Sequence, residues 1–222
     1  MFTFKKAAPL LATALCVAVT ACSTAEPVVY SGIASSPYLA PNRQDDSDRV
    51  PYRYLADVNW QKYERVFIEP VEIYRGPDQQ FGDLSEDDKS TLATYMQRQF
   101  AETLRSRFII ATSPAPNTLR LKLTLTGAAT STPVLSTLLH FDISGGIYNG
   151  VQAVSGGEGL LTGSVLYATE IYDAPTGQLL AASVTKQYPN AFNLAAGFGS
   201  LAAAKTGIDK GADALLEELS KR

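Results

Sequence analysis

The single histidine of this chain, His140, stands two residues from an acid in His140-Phe141-Asp142. In an extended segment, residues two apart share a face. The pair could therefore supply the base and orienting acid of a hydrolase that uses a nearby serine. No Gly-x-Ser-x-Gly elbow presents such a serine. One histidine also cannot build a multi-histidine zinc site. His140 reads as a surface or hydrogen-bonded histidine, with a periplasmic hydrolase kept as a further alternative. Glu158, Glu170 and Asp173 are of the type that forms a glycosidase carboxylate pair. No spacing fixes their separation, and Glu170 is expected on the wet face of its strand. Gly197-Phe198-Gly199-Ser200-Leu201-Ala202 fits a bare dinucleotide fingerprint. That fingerprint needs a strand directly before it, and Tyr188-Pro189-Asn190 interrupts the strand. It reads as a helix-entry loop. The acids Asp45, Asp46 and Asp48 lack the glycine and distal glutamate of a calcium loop. The expectation is no catalytic residue, no metal site and no cofactor.

The chemistry the spacing does support belongs to Cys22. Lys5 and Lys6 are followed by Ala7–Ala18, in which only Thr13 is polar. A charged start and a short apolar run make a secretory leader. The run is too short for a spanning helix, which needs about 20 apolar residues. It ends at Val19-Thr20-Ala21-Cys22, small residues before a cysteine. This resembles the bacterial lipobox, in which the cysteine is diacylglyceryl-modified on sulfur, the leader is cut between Ala21 and Cys22, and the new N-terminus is acylated. Cys16 lies inside the apolar run and would leave with it. No thiol then remains for catalysis, metal binding or a disulfide. More than one acyl chain makes attachment stable. The residue after the cysteine is Ser23 and not aspartate. By resemblance to Gram-negative sorting, this favours the inner leaflet of the outer membrane, facing the periplasm.

The elements follow in order. Residues 1–21 are the leader, and 22–50 read as lipidated cysteine and flexible tether, rich in Ser, Ala, Pro and Asp. At about 3.3 Å per residue, such a tether could reach roughly 90 Å. Residues 51–222 read as one domain. Tyr63–Tyr74 is β-branched and aromatic, with Pro70 marking an edge or bulge. Ser85 caps a helix of about 20 residues carrying Leu92, Met96, Phe100 and Leu104 at four-residue spacing. Phe108–Ile110 is a short strand. In Thr118–Thr126, Leu119, Leu121, Leu123 and Leu125 alternate with Arg120, Lys122, Thr124 and Thr126, which predicts one packed and one wet face. Leu160–Tyr172 and Gln178–Tyr188 form a hairpin through Asp173-Ala174-Pro175-Thr176-Gly177. Leu201–Leu219 is an Ala-rich helix. The predicted fold is α+β in two layers: a mainly antiparallel sheet of four to five strands with two helices on one face.

Residues 130–159 form a Gly-rich, apolar insertion. Leu138, Leu139, Phe141 and Tyr148 are its candidate interaction surface, and a flap over a small apolar ligand is an alternative role. The net charge of −3 becomes −5 once Lys5 and Lys6 are removed. A mildly acidic chain has no electrostatic footprint for nucleic acid.

Taken in order, the Cys22 lipobox, Tyr30-Ser31-Gly32, Lys62-Tyr63-Glu64-Arg65-Val66 through Ile68-Glu69-Pro70-Val71-Glu72, and Asp173–Gly177 with Gln178-Leu179-Leu180-Ala181-Ala182 are similar to the bacterial lipoprotein family called domain of unknown function 3313. The likeness spans about Tyr30 to Leu219. It implies a cell-envelope lipoprotein and carries over no catalytic residue. The expected partners are the membrane, through acyl chains on Cys22, and an envelope protein or peptidoglycan.

Overall fold

The computed structural model describes residues 25–45, 47–130, 163–189 and 200–221. Eight strands form one mixed sheet: β1 (Ala40–Pro41), β2 (Tyr52–Leu55), β3 (Arg65–Ile68), β4 (Glu72–Ile73), β5 (Ile109–Ala111), β6 (Thr118–Ala129), β7 (Ser164–Asp173) and β8 (Leu179–Gln187). Their order is β1-β2-β8-β7-β6-β3-β5, with β4 also on β6. Two helices, α1 (Glu86–Leu104) and α2 (Ala202–Ser220), pack on one face and on each other.

This corrects the expected sheet of four to five mainly antiparallel strands. The meander β6-β7-β8-β2-β1 is antiparallel, but β3 runs parallel to both β5 and β6, and β4 runs parallel to β6. Strands β1, β2, β4 and β5 have two to four residues each. That length is too short to display a period of two. Parallel pairing also needs a crossover. Here α1 carries the chain from β3 and β4 to β5, a geometry that no local pattern announces.

The strand expected over Tyr63–Tyr74 is split. Glu69, Pro70 and Val71 separate β3 from β4, and the Val71 N–H donates to Gln97 Oε1 of α1 (2.9 Å) instead of to a strand. Helix α1 starts where its cap chemistry puts it. Ser85 Oγ accepts the Asp88 N–H (3.1 Å), and Glu86, Asp87 and Asp88 sit at the positive pole. Its stripe of Leu92, Met96, Phe100 and Leu104 is buried against Leu119, Leu121, Leu123 and Leu125 of β6 and against β7. Phe100 meets Tyr167 edge-on, 5.9 Å between ring centres.

The far face of the sheet is only partly wet: Arg120 and Lys122 stay partly exposed, but the second half of β6 is covered. Thr124 and Thr126 are buried. Tyr30 and Ile33 pack there on Ala168 and Val184, flanked by Val28, Leu39, Tyr52 and Tyr74. Residues 28–39 thus lie on the sheet as a third layer, and β1 joins its edge. Between Leu125 and Gly127, a bulge in β6 shifts the register against β7.

Candidate functional site

A cavity of about 310 Å³ opens on the helix side at the β2-β8-β7 edge. It is built by strand alternation. Thr169 of β7 and Ser183, Thr185 and Gln187 of β8 point the same way as Tyr167, toward α2. Arg53 of β2, paired with Ser183, closes the outer side. Phe100 and Leu215 form an apolar wall. Gly211 of α2 leaves room for the Tyr167 hydroxyl, which would lie 2.0 Å from a Cβ at that position.

The polar groups of the cavity are mostly neutral. Ser183 Oγ and Thr185 Oγ1 are 3.4 Å apart. Gln187 Oε1 accepts from Arg49 Nη1 (2.8 Å). The Arg53 guanidinium, on the rim, pairs with Glu218 at 2.5 Å. Burial pushes the Tyr167 hydroxyl well above the usual tyrosine range, against a hydrogen bond with Thr185, so it stays a neutral phenol. At the mouth, partial burial tends to raise the Asp45 carboxyl. It is outweighed by hydrogen bonds from Ser47 and from the N–H groups of Val50, Ser47 and Arg49, which hold the group below its ordinary value. This arrangement can hydrogen bond to hydroxyl and carbonyl groups of a ligand. It carries no activated nucleophile and no paired acid and base.

A smaller cavity, about 150 Å³, lies on the opposite face beside Glu170, Lys122, Glu72 and Ile33. Glu170 is 1% exposed, which corrects its expected place on a wet face. Its Oε1 accepts the Ser35 N–H (2.8 Å) and the Tyr172 hydroxyl (2.9 Å). Its Oε2 has no protein donor. Lys122, its cross-strand neighbour, pairs instead with Glu72 (3.1 Å). Glu170 therefore clamps the 28–39 layer to the sheet. Glu170→Ala would strand a buried N–H, and the expected loss is about 2 kcal/mol in a urea titration. A loss under about 0.5 kcal/mol would show that Ser35 finds another acceptor.

The three-residue offset places Asp173 on the other face from Glu170, so these two do not form a catalytic pair. Asp173 accepts from Thr176 Oγ1 (2.6 Å) and from the Tyr63 hydroxyl (2.9 Å). The Thr176 bond is the main cause that holds its carboxyl below the usual range. A carboxyl with a folded pKa below its unfolded value stabilises above the unfolded pKa, about 3.9, and loses that contribution as pH falls through the folded pKa. The stability advantage of the native chain over Asp173→Asn is therefore expected at pH 6 and expected to shrink by pH 3 in paired denaturant titrations.

Ala21, Cys22, Leu138, Leu139, His140, Phe141, Asp142, Tyr148, Glu158 and the Gly197–Gly199 loop lie outside the described residues. The cavity residues Arg53, Thr169, Ser183, Thr185 and Gln187 were not anticipated. Their signal was present in β8, where Ser183, Thr185 and Gln187 alternate with Ala182, Val184 and Lys186.

A family model described as "Protein of unknown function (DUF3313)" matches residues 29–215, from the layer on the sheet to the last turns of α2. The chain belongs to the DUF3313 family. A search of curated proteins finds no match. Among solved structures, the chain is similar to a PelC variant dodecamer from Paraburkholderia phytofirmans, at 12% identity and a TM-score of 0.39 over 74% of this chain and 94% of that one. A second PelC dodecamer from the same organism gives 11% identity and 0.36, over 68% and 88%. Likeness at this level does not extend to assembly or function. No described helix is long and apolar enough to cross a membrane.

Proposed function

We propose that this DUF3313 member is a lipid-anchored cell-envelope protein, held through Cys22 in the periplasm-facing leaflet of the outer membrane, that works as a non-enzymatic binding or scaffold module. The observation that carries this reading is Val19-Thr20-Ala21-Cys22 placed directly after a charged and then apolar leader. Acyl chains on Cys22 provide the anchor. In Cys22→Ala the acyl mass is expected to disappear, and the protein is expected to move from the membrane to the soluble fraction with unchanged circular dichroism. A native protein that carries no acyl mass, or a variant that stays on the membrane, would overturn the reading.

The helix-side cavity supports a binding role. Its hydroxyl and amide lining, with Arg53 already neutralised by Glu218, suits a neutral, hydroxyl-rich ligand such as a glycan segment. Neutral oligosaccharides, chitotetraose among them, are expected to shift the amide resonances of Thr169, Ser183 and Thr185. Thr185→Val is expected to weaken that response several-fold. Resonances that stay fixed at millimolar sugar would remove the glycan assignment and leave the envelope anchor standing.

A further inference from the structure

A stretched 22–50 tether would let the domain roam, but the first fixed residue of the domain lies only four positions after Cys22. Glu26 is gripped from both sides by Gln80. Its N–H donates to Gln80 Oε1 (2.6 Å), and its carbonyl accepts from Gln80 Nε2. Gln80 is in turn fastened to the β6 bulge. Its N–H donates to the Thr126 carbonyl (2.9 Å), and its own carbonyl accepts the Ala128 N–H (3.1 Å). The two bonds straddle Gly127, where a Cβ would sit 2.6 Å from the Gln80 carbonyl. Tyr30, four residues beyond Glu26, is fully buried and meets Tyr74 edge-on at 5.3 Å. The chain is therefore committed to the sheet from Glu26 onward.

We propose that the end of the sheet bearing Glu26, Gln80 and Gly127 faces the bilayer and is held against it. The proposal rests on lipidation of Cys22 as read above. Four residues span at most about 14 Å even when fully extended, so Glu26 sits within that distance of the acylated cysteine. Helix α1 starts beside this end, just after Leu84, and its 19 residues carry the chain about 28 Å away from it. The opposite end holds Arg105, the β6 start at Thr118 and the Asp173–Gly177 turn. That end points into the periplasm. A partner would then meet the domain close to the membrane and not at the roughly 90 Å that a free tether allows.

The test uses the lipidated full chain. With Cys16 removed and Cys22 acylated, a new cysteine is the sole free thiol. Asp83→Cys and Arg105→Cys, both exposed, are labelled with a thiol-reactive fluorophore. The proteins are placed in phosphatidylethanolamine and phosphatidylglycerol vesicles that contain headgroup-nitroxide lipid. Quenching at position 83 is expected to be at least threefold stronger than at position 105. A 20-residue Gly-Ser insert between Thr24 and Ala25 is expected to bring the two close to equal, because a coil of that length adds about 25 Å of mean reach. Equal quenching without the insert would mean that the domain lies on its side, and stronger quenching at 105 would mean that it is inverted. Either result overturns the orientation. Mass spectrometry of the same samples separates the two ideas: a missing acyl mass sinks the anchor, whereas an intact acyl mass with the wrong quenching order sinks only the orientation.

Discussion

Gly207→Val is expected to destabilise the fold by about 3 kcal/mol or more, read as a fall in the urea midpoint. Gly207 is buried in the first half of α2, and a Cβ there would lie 2.8 Å from both the Gln187 carbonyl and Val165 Cγ1. The carbonyl belongs to the backbone of β8 and cannot rotate away. A branched side chain at 207 must lift α2 off β7 and β8. Overpacking of this kind costs about 1–3 kcal/mol and sometimes more, and valine also lacks χ1 freedom in a helix. Gly211→Ala is the control. There the crowding atom is the hydroxyl end of Tyr167, whose tip borders the 310 Å³ cavity and can turn into it. Alanine gains about 1 kcal/mol of helix propensity over glycine. Gly211→Ala is therefore expected to stay within about 1 kcal/mol of the native chain. Equal losses at both positions would show that helix geometry in general, and not close approach to a strand backbone, fixes the seat of α2.

Phe100→Ala is expected to cost about 3–5 kcal/mol. Phe100 is fully buried at the centre of the α1 stripe and holds the edge-on contact with Tyr167. It also lines the polar cavity. Its removal joins new empty space to that cavity, so water can enter and the ring of Tyr167 loses its support. The expected signatures are a lowered thermal midpoint and broadened resonances for Thr169 and Thr185. A loss under about 1.5 kcal/mol would mean that neighbouring side chains collapse into the gap.

The two helices and the long strands were legible because their signals are local. Ser85 with three acids marks a helix start without reference to anything distant, and Leu92, Met96, Phe100 and Leu104 fix which face is buried. Asp173, Pro175 and Gly177 mark the β7–β8 turn, where Gly177 adopts φ +70°. Among the short strands, β5 was legible as Phe108–Ile110 and β3 and β4 lie within Tyr63–Tyr74, whereas β1, β2 and the pairing of all of them were not legible. Arg65–Ile68 pairs with residues 109–111 and 118–121, and nothing within four residues can report a partner that far along the chain. The alternation in β6 gives its leucine face and the partly exposed Arg120 and Lys122, but not the burial of Thr124 and Thr126. Threonine at 124 and 126 is compatible with water or with a covering layer, and only Tyr30 and Ile33 decide between them.

By itself, the sequence determined that a charged and then apolar stretch ends in small residues before Cys22, and the identity of the elements that carry strong periodicity. Those depend on residue type and near spacing alone. The tertiary structure decided that residues 28–39 cover the sheet, that Glu170 is a buried clamp, that Ser183, Thr185 and Gln187 meet Arg53 around a cavity, and that Glu26 is fastened to Gln80. Each joins positions roughly 50 to 155 residues apart, where loop closure and packing, and not local preference, choose the partner.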